Sequence, residues 1–336
     1  MKKKSTCLVT GANGHLGNNL VKELVKQNYE VRASVRDIHN REPFQAVECE
    51  VVYADMLDKA SLKKAMKDIE TVFHVASVFK HWSLNPQKDI IEPNVIGTKN
   101  IIEAASECKV GKVIMVSSIA ALDHTSVPME ENTWNKNFPN AYYQSKQESE
   151  LLAWKLSRKL NVDLITVLPS SIIGEEIFAH LTPTMFFFDM VLRNQLPIDP
   201  NFAFNYIDVK DVAKGIVLAD KLGRIGERYI LATEQSITTS AVFAMAKDIF
   251  PDIIIPGQLL KSELTEIAKN MEDESTITKT APLLMVNNIE VYYNADSRVD
   301  ISKARNELGF NPISPEKAIQ NTLLYLSQKT TEVIHL

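Results

Sequence analysis

The stretch Thr10-Gly11-Ala12-Asn13-Gly14-His15-Leu16-Gly17 stands between a short apolar run and a segment of helical periodicity, and it contains three of the chain's 11 glycines. Glycine permits a tight turn and lets the backbone approach a pyrophosphate, while the following helix offers unpaired N–H groups and its positive dipole end. The stretch predicts a dinucleotide-binding turn; an ordinary tight turn is the alternative. The predicted contacts with the cofactor are Gly11, Asn13, Gly14, His15, Leu16 and Gly17.

Around this turn, short β-branched runs alternate with longer helical patterns from residue 5 to residue 170. This alternation is typical of a parallel sheet built from βαβ units. The predicted fold class is α/β, a Rossmann-type doubly wound parallel sheet with a smaller C-terminal substrate lobe that is interleaved in sequence. The predicted strands are residues 5–10, 30–35, 50–53, 71–75, 112–117 and 163–168.

The end of the second predicted strand bears on which dinucleotide binds. An acidic residue there would bind the adenosine 2′-hydroxyl and favour NAD. Val35 occupies that position, and Arg36 follows it. Because a guanidinium pairs well with a phosphate, Arg36 favours NADP(H) over NAD(H). In the alternative, Arg36 is a solvated charge and Asp37 reaches the ribose.

After Pro169 the alternation weakens and prolines interrupt the chain. We predict an NADP-binding Rossmann domain over residues 1–170, to which residues 204–235 return. Residues 171–203 and 236–336 would mainly form the smaller substrate-binding lobe. The strand-then-helix pattern of residues 204–219 is expected to rejoin the main sheet.

Composition limits the partners. The chain has 336 residues, with 37 basic and 42 acidic residues and a net charge of -5, so no nucleic acid is expected to bind. Its three cysteines have no metal-ligand spacing, and their odd number argues against a disulfide framework, so we expect no metal and a cytoplasmic location. The most apolar late segment, residues 185–192, is shorter than the about 20 residues of a spanning helix, so no membrane association is expected.

Three side chains are candidates for catalysis. Tyr142 and Lys146 lie four residues apart in a predicted helix and would share one face. A nearby ammonium stabilises a phenolate, so Lys146 is expected to lower the pKa of Tyr142 from its ordinary value of about 10. Both side chains are also predicted to contact the cofactor, with Lys146 at the nicotinamide ribose. Ser118 ends an apolar strand, where its hydroxyl can meet a ligand in the crevice of a doubly wound sheet. Taken singly, the pair could be a helix surface pair and the serine a turn residue.

Together these residues resemble the extended short-chain dehydrogenase/reductases of the NAD-dependent epimerase/dehydratase family, and most closely their dihydroflavonol reductase and cinnamoyl-CoA reductase branch. The resemblance spans nearly the whole chain. The matching stretches are residues 11–17, 31–37, 54–56, 72–76, 117–118, 142–146, 168–169 and 301–310.

The resemblance implies further site residues. Asp55 would bind the adenine amino group and Met56 would flank it. The residues Val75, Ala76 and Ser77 would line the path to the nicotinamide, and Pro169 and Ile172 would contact its end. Asn94 matches an asparagine that shapes the site or relays protons, although a buried role in positioning a helix is equally open.

By the same resemblance, NADPH gives a hydride to an aldehyde or ketone carbonyl of a small molecule, Tyr142 donates the proton, and Lys146 and Ser118 support it. A nucleotide-sugar epimerase or dehydratase and a non-catalytic NADP-sensing regulator are the alternatives. Neither an acidic pair nor a Tyr-Gly pattern follows Ser118, as those sugar enzymes would show. An outer helix pair could support a homodimer.

Two features bear on the substrate. Asp123 stands where flavonoid-reducing relatives carry a polar residue, commonly asparagine, so a flavonoid substrate is doubtful. Several aromatic and histidine side chains would line a substrate pocket or form core. These are His81, Trp82, His124, Trp134 and residues 186–188.

Overall fold

The computed structural model describes residues 4–175 and 181–333. The strands, in chain order, are β1 (Thr6–Thr10), β2 (Glu30–Val35), β3 (Glu50–Tyr53), β4 (Thr71–His74), β5 (Lys112–Val116), β6 (Leu164–Pro169), β7 (Ser171–Ile173), β8 (Ala203–Phe204), β9 (Tyr206–Asp208), β10 (Arg228–Leu231) and β11 (Ile237–Thr238). The helices are α1 (His15–Lys26), α2 (Lys59–Ala65), α3 (Glu92–Glu107), α4 (Ala141–Leu160), α5 (Pro183–Leu192), α6 (Val209–Leu222), α7 (Thr239–Ile249), α8 (Lys261–Thr278), α9 (Val286–Tyr292), α10 (Ser302–Leu308) and α11 (Pro315–Val333). In the described part of the chain, no helix combines the length and apolar character needed to cross a membrane.

Seven parallel strands form the main sheet, in the order β10-β6-β5-β4-β1-β2-β3. All six predicted strands are present, each within one residue of its predicted bounds. The predicted α/β doubly wound fold is therefore confirmed. Because all the strands are parallel, their carboxyl ends share one edge, where ligands of such sheets bind.

The two faces of this sheet bury separate cores, because successive side chains of a strand point to opposite sides. Val9 of β1 packs with Leu20 of α1 and Ile216 of α6, and α10 joins this layer. Its neighbour Leu8 packs on the other face, with Ile101 of α3 among the side chains of α2, α3 and α4. The sheet is thus covered on both faces, as its apolar strands require.

The strand expected to rejoin the sheet after residue 203 does not do so. Strand β9 instead pairs with β7 in a separate two-stranded sheet. The edge of the main sheet beside β6 is occupied by β10, whose Arg228 aligns with Thr166. Helix α6, which follows β9, does pack on the main sheet.

A second group of elements covers the carboxyl edge of the sheet. Helices α5, α7 and α11 pack around β9 through Phe188, Phe243 and Leu323. The start of α6 is capped by Asp208, which accepts a hydrogen bond of 2.7 Å from the Lys210 N–H. Helices α5, α8 and α9 form the far wall of a deep cleft.

Candidate active site

The glycine turn joins β1 to α1 and has no room for a side chain at Gly11 or Gly17. Gly11 has a φ of 65°, and a Cβ there would lie 2.9 Å from Cα of Ala76. A Cβ on Gly17 would lie 2.1 Å from the carbonyl oxygen of Gly11. Gly14 precedes α1, and no side chain caps the helix there. The backbone therefore leaves the helix start open, which fits the pyrophosphate of a dinucleotide.

A buried hydroxyl ties this turn to the neighbouring strand. Thr10 Oγ1 accepts hydrogen bonds of 3.1 Å from the N–H groups of Val75 and Ala76. Its own proton is then donated to His74 Nδ1, 3.0 Å away. Burial lowers the pKa of His74 to about 3, with the charge of Lys146 acting in the same direction. The neutral ring and the hydroxyl hold the loop after β4 against the turn, a link that sequence analysis missed.

The two charged side chains that follow β2, Arg36 and Asp37, lie in different places. Val35 is buried, and Arg36 is exposed and lines the cleft. Asp37 does not line it; its Oδ1 accepts a hydrogen bond of 2.9 Å from the N–H of His39. Of the two side chains weighed from the sequence, Arg36 is the one placed at the cleft.

Asp55 and Met56 follow β3 and also line the cleft. Asp55 Oδ1 accepts a hydrogen bond of 2.8 Å from the Leu57 N–H, which fixes this turn. Met56 packs over Gly97 of α3, where a Cβ would come within 2.7 Å of its sulfur. A small residue in α3 thus lets Met56 lie at the cleft.

The three candidate catalytic side chains meet where β5 ends and α4 begins. Asn140 caps α4 by accepting hydrogen bonds from the N–H groups of Tyr142 and Tyr143. The Lys146 Nζ lies 5.8 Å from the centre of the Tyr142 ring and donates to the carbonyl oxygen of Val116 at 3.2 Å.

Ser118 follows β5 and lies beside Tyr142, a contact that the sequence did not predict. Burial raises the pKa of Tyr142, and the hydrogen bond with Ser118 only partly opposes this. The expected lowering by Lys146 is therefore wrong for this structure, because desolvation of the phenolate dominates. Burial also lowers the pKa of Lys146 to about 8, with Glu150 opposing the change.

A buried ion pair lies one helical turn beyond Lys146. Glu150 is fully buried, and its Oε1 accepts a hydrogen bond of 2.8 Å from Arg228 Nε on β10. Ser117 and Thr166 also donate to this carboxylate, at 2.6 and 2.7 Å. The network fastens α4 to β6, to β10 and to the residue that follows β5. The sequence analysis missed this network, although Glu150 follows Lys146 by four residues and so lies on the same face of the helix.

Asn94 holds the loop after β4 rather than lining the cleft. Its Oδ1 accepts hydrogen bonds from the Val78 N–H at 2.7 Å and the Ser77 hydroxyl at 3.1 Å. Its Nδ2 donates to the Val78 carbonyl and to the Ser145 hydroxyl on α4, each at 3.0 Å. The asparagine therefore connects the loop after β4 with α4.

Most of the predicted site residues line one continuous cleft. Gly14 and Gly17 are not part of the lining, and Gly17 lies buried behind Gly11. The predicted residues that line the cleft are Gly11, Asn13, His15, Leu16, Arg36, Asp55, Met56, Val75, Ala76, Ser77, Ser118, Tyr142, Lys146, Pro169 and Ile172.

Next to Tyr142 the cleft continues into a chamber with mainly apolar walls, and the two together enclose about 1630 Å³. The chamber wall includes Phe186, Phe187, Met190, Leu264, Met271 and Tyr292, from α5, α8 and α9. Of the aromatic side chains considered from the sequence, His81, Trp82 and His124 also line it. Phe188 instead lies in the core, and Trp134 lies under the Arg228 guanidinium at 3.8 Å.

Both histidines of the chamber are neutral, since burial lowers the pKa of each to about 4. The Asn140 Nδ2 donates to His81 Nδ1 at 3.1 Å, so His81 carries its proton on Nε2. His124 also carries its proton on Nε2, which it donates to the Ile119 carbonyl at 3.1 Å. The His81 ring centre is 5.3 Å from that of Tyr142. The chamber thus offers neutral polar groups close to the tyrosine.

Comparison with known proteins gives one consistent result. A model of the NAD dependent epimerase/dehydratase family matches residues 7–232. Cinnamoyl-CoA reductase 1 of Petunia hybrida is 32% identical over 265 residues, covering 74% of this chain and 78% of the relative. A putative dihydroflavonol 4-reductase of Synechocystis is 34% identical over 237 residues, or 67% of each chain.

Among solved structures, yeast methylglyoxal/isovaleraldehyde reductase Gre2 complexed with NADPH superposes with a TM-score of 0.77. The match covers 97% of this chain and 99% of that chain at 22% identity. At that identity the likeness shows the fold alone.

Proposed function

Because the chain belongs to the NAD dependent epimerase/dehydratase family, as its motifs predicted, we propose that it is an NADPH-dependent reductase of aldehyde or ketone carbonyls. The observation that carries the proposal is the convergence of Ser118, Tyr142 and Lys146 at one end of a dinucleotide-sized cleft. The relatives named as reductases of cinnamoyl-CoA and dihydroflavonol support the reaction type.

Tyr142 carries its proton at neutral pH, because burial raises its pKa, so the phenol has a proton to donate. Bound NADPH would supply a hydride to the carbonyl carbon. Ser118 would hydrogen-bond the carbonyl oxygen and hold it beside the Tyr142 hydroxyl. Lys146, charged below a pKa of about 8, would stabilise the negative charge that develops there.

The residues along the cleft fit the cofactor in order. The glycine turn would hold the pyrophosphate, Asp55 and Met56 the adenine, and Pro169 and Ile172 the nicotinamide end. Arg36 supports NADP(H) over NAD(H), because its guanidinium is exposed at the cleft beside the end of β2.

The epimerase and regulator alternatives gain less support. A nucleotide sugar carries a charged diphosphate, and the described walls of the chamber are mostly apolar. The cations among them are Lys80 and Lys279, both exposed to solvent. A regulator without catalysis would not need the Tyr142, Lys146 and Ser118 arrangement.

The test is loss of NADPH absorbance with a panel of apolar aldehydes and ketones. Tyr142→Phe should lower turnover by about 10²–10⁴-fold, because it removes the proton donor, and should leave NADPH affinity nearly unchanged. Tyr293→Phe, whose hydroxyl donates to the Leu259 carbonyl outside the cleft, is the matched control. Unchanged turnover in Tyr142→Phe would reject this role, and release of an altered nucleotide sugar would favour the epimerase.

A further inference from the structure

Two tyrosines that the proposed reaction does not use meet at the wall of the chamber. Tyr143 follows Tyr142 on α4, and Tyr292 ends α9. Their hydroxyls form a hydrogen bond across the cleft. Both side chains are buried, at 5% and 9% exposure, and both line the chamber. The pair therefore closes one side of the space next to Tyr142, whose ring centre is 6.3 Å from that of Tyr143.

This pair has a proton left over. Two phenols carry two protons, and one hydrogen bond between them uses only one. Within residues 4–175 and 181–333, the two hydroxyls make no other hydrogen bond. The surrounding side chains are mainly apolar: the Phe202 and Phe204 rings lie 5.8 and 4.7 Å from that of Tyr292. A buried donor without an acceptor is costly, so an acceptor on a bound ligand would be favoured there.

We propose that the Tyr143–Tyr292 pair binds an oxygen atom that the substrate carries beside its reacting carbonyl. This inference rests on the proposed reductase function. The substrate class is then an apolar, uncharged ketone or aldehyde with a hydroxyl, ether or second carbonyl oxygen on the adjacent carbon.

Position and environment both support this class. Tyr143 follows Tyr142 on α4, their ring centres lie 6.3 Å apart, and the Tyr143 hydroxyl contacts that of Tyr292, so the pair and Tyr142 lie at the same part of the chamber. Their closeness puts the spare proton near the carbonyl oxygen that Tyr142 would protonate. The apolar side chains of α5 and α8 would contact the rest of the molecule.

The experiment compares two ketones of equal length, 1-methoxyheptan-2-one and nonan-4-one. The first has an ether oxygen where the second has a methylene group. Affinities are measured by calorimetry in the presence of NADP⁺, so the result does not depend on turnover. We expect the wild-type protein to bind the methoxy ketone about tenfold more tightly, the value of one neutral hydrogen bond. In an apolar pocket without a donor, the preference would go to nonan-4-one.

Variants locate the effect. The double variant Tyr143→Phe/Tyr292→Phe should lose the preference, while Tyr293→Phe should keep it. Each single variant leaves one phenol, and the one that loses the preference identifies the donor. Equal wild-type affinities, or a preference that survives in a folded double variant, would overturn the proposal. If the double variant does not fold, the wild-type ratio decides.

The same data separate this inference from the proposed function. A protein that prefers the methoxy ketone but oxidises no NADPH with any carbonyl compound would contradict the reductase and leave the oxygen site standing. A protein that reduces both ketones but binds them equally would support the reductase and contradict the oxygen site.

Discussion

The two walls of the cleft are built in different ways. The wall at the sheet comes from strand ends and the helices that follow them, and it is held by buried polar links such as Thr10–His74 and Glu150–Arg228. The opposite wall comes from α5, α8 and α9 and is mainly apolar. Polar links have directions and fix positions closely, whereas apolar contacts are non-directional.

This difference fits the two tasks of the cleft. Reacting groups must be held in one geometry, so a small displacement at the sheet wall should be costly. The apolar wall needs shape and volume, so it can change with the substrate while the chemistry stays the same. Variants in the sheet wall should therefore have the larger effects.

The largest effect is expected from the ion pair behind Lys146. Glu150→Ala would leave the Arg228 guanidinium buried without its carboxylate, and we expect the free energy of unfolding to fall by about 3–5 kcal/mol. Urea denaturation measures this. Glu148→Ala is the control, because that carboxylate accepts a hydrogen bond from Gln144 on a more exposed part of the same helix. A loss below about 1 kcal/mol would show that the pair does not anchor α4.

Glycines give a second contrast. Gly17→Ala would place a methyl group 2.1 Å from the Gly11 oxygen, so the turn must shift, and we expect NADPH affinity to fall about 100-fold. Gly257→Ala should leave affinity unchanged, because nothing lies within 4 Å of the added carbon. Fluorescence titration with NADPH compares the two. Equal affinities would mean that the turn does not hold the cofactor.

A smaller change is expected at the adenosine end. Arg36→Ala should lower the ratio of kcat/KM for NADPH to that for NADH about tenfold, because a charge-assisted hydrogen bond to the 2′-phosphate is lost. Arg32→Ala is the control, since Arg32 lies within β2, outside the cleft, and pairs with Glu50 at 2.6 Å. A wild-type protein that prefers NADH would refute the assignment.

The sequence predicted the wall at the sheet far better than the opposite wall, which α5, α8 and α9 form. Residues 10–17 and 142–146 are short motifs in which spacing along one element determines which side chains meet. Thr10 and His74 lie on different strands, so their link depends on which strands are neighbours. That order cannot be read from either segment alone.

Tyr292 shows the same limit more strongly. It is 149 residues from its partner Tyr143, in a region where helical and strand patterns are weak. Likewise, the strand pattern near residue 204 predicted that a strand forms there, but not that it pairs with β7. The edge of the main sheet beside β6 is occupied by β10 instead. Local periodicity predicts elements, and competition between elements decides where they pack.

The smallest effect concerns pH. Burial lowers the pKa of Lys146 to about 8, so its ammonium is present below that pH and is lost as the pH rises through it. If the charge supports Tyr142, kcat/KM should fall to about half its plateau near pH 8 and continue to fall above it, because this parameter reports groups of the free enzyme. His81 and His124 titrate near pH 4, and the pKa of Tyr142 is raised, so these neighbours would not produce that limb. A profile that stays flat to pH 9 would show that the ammonium is not required.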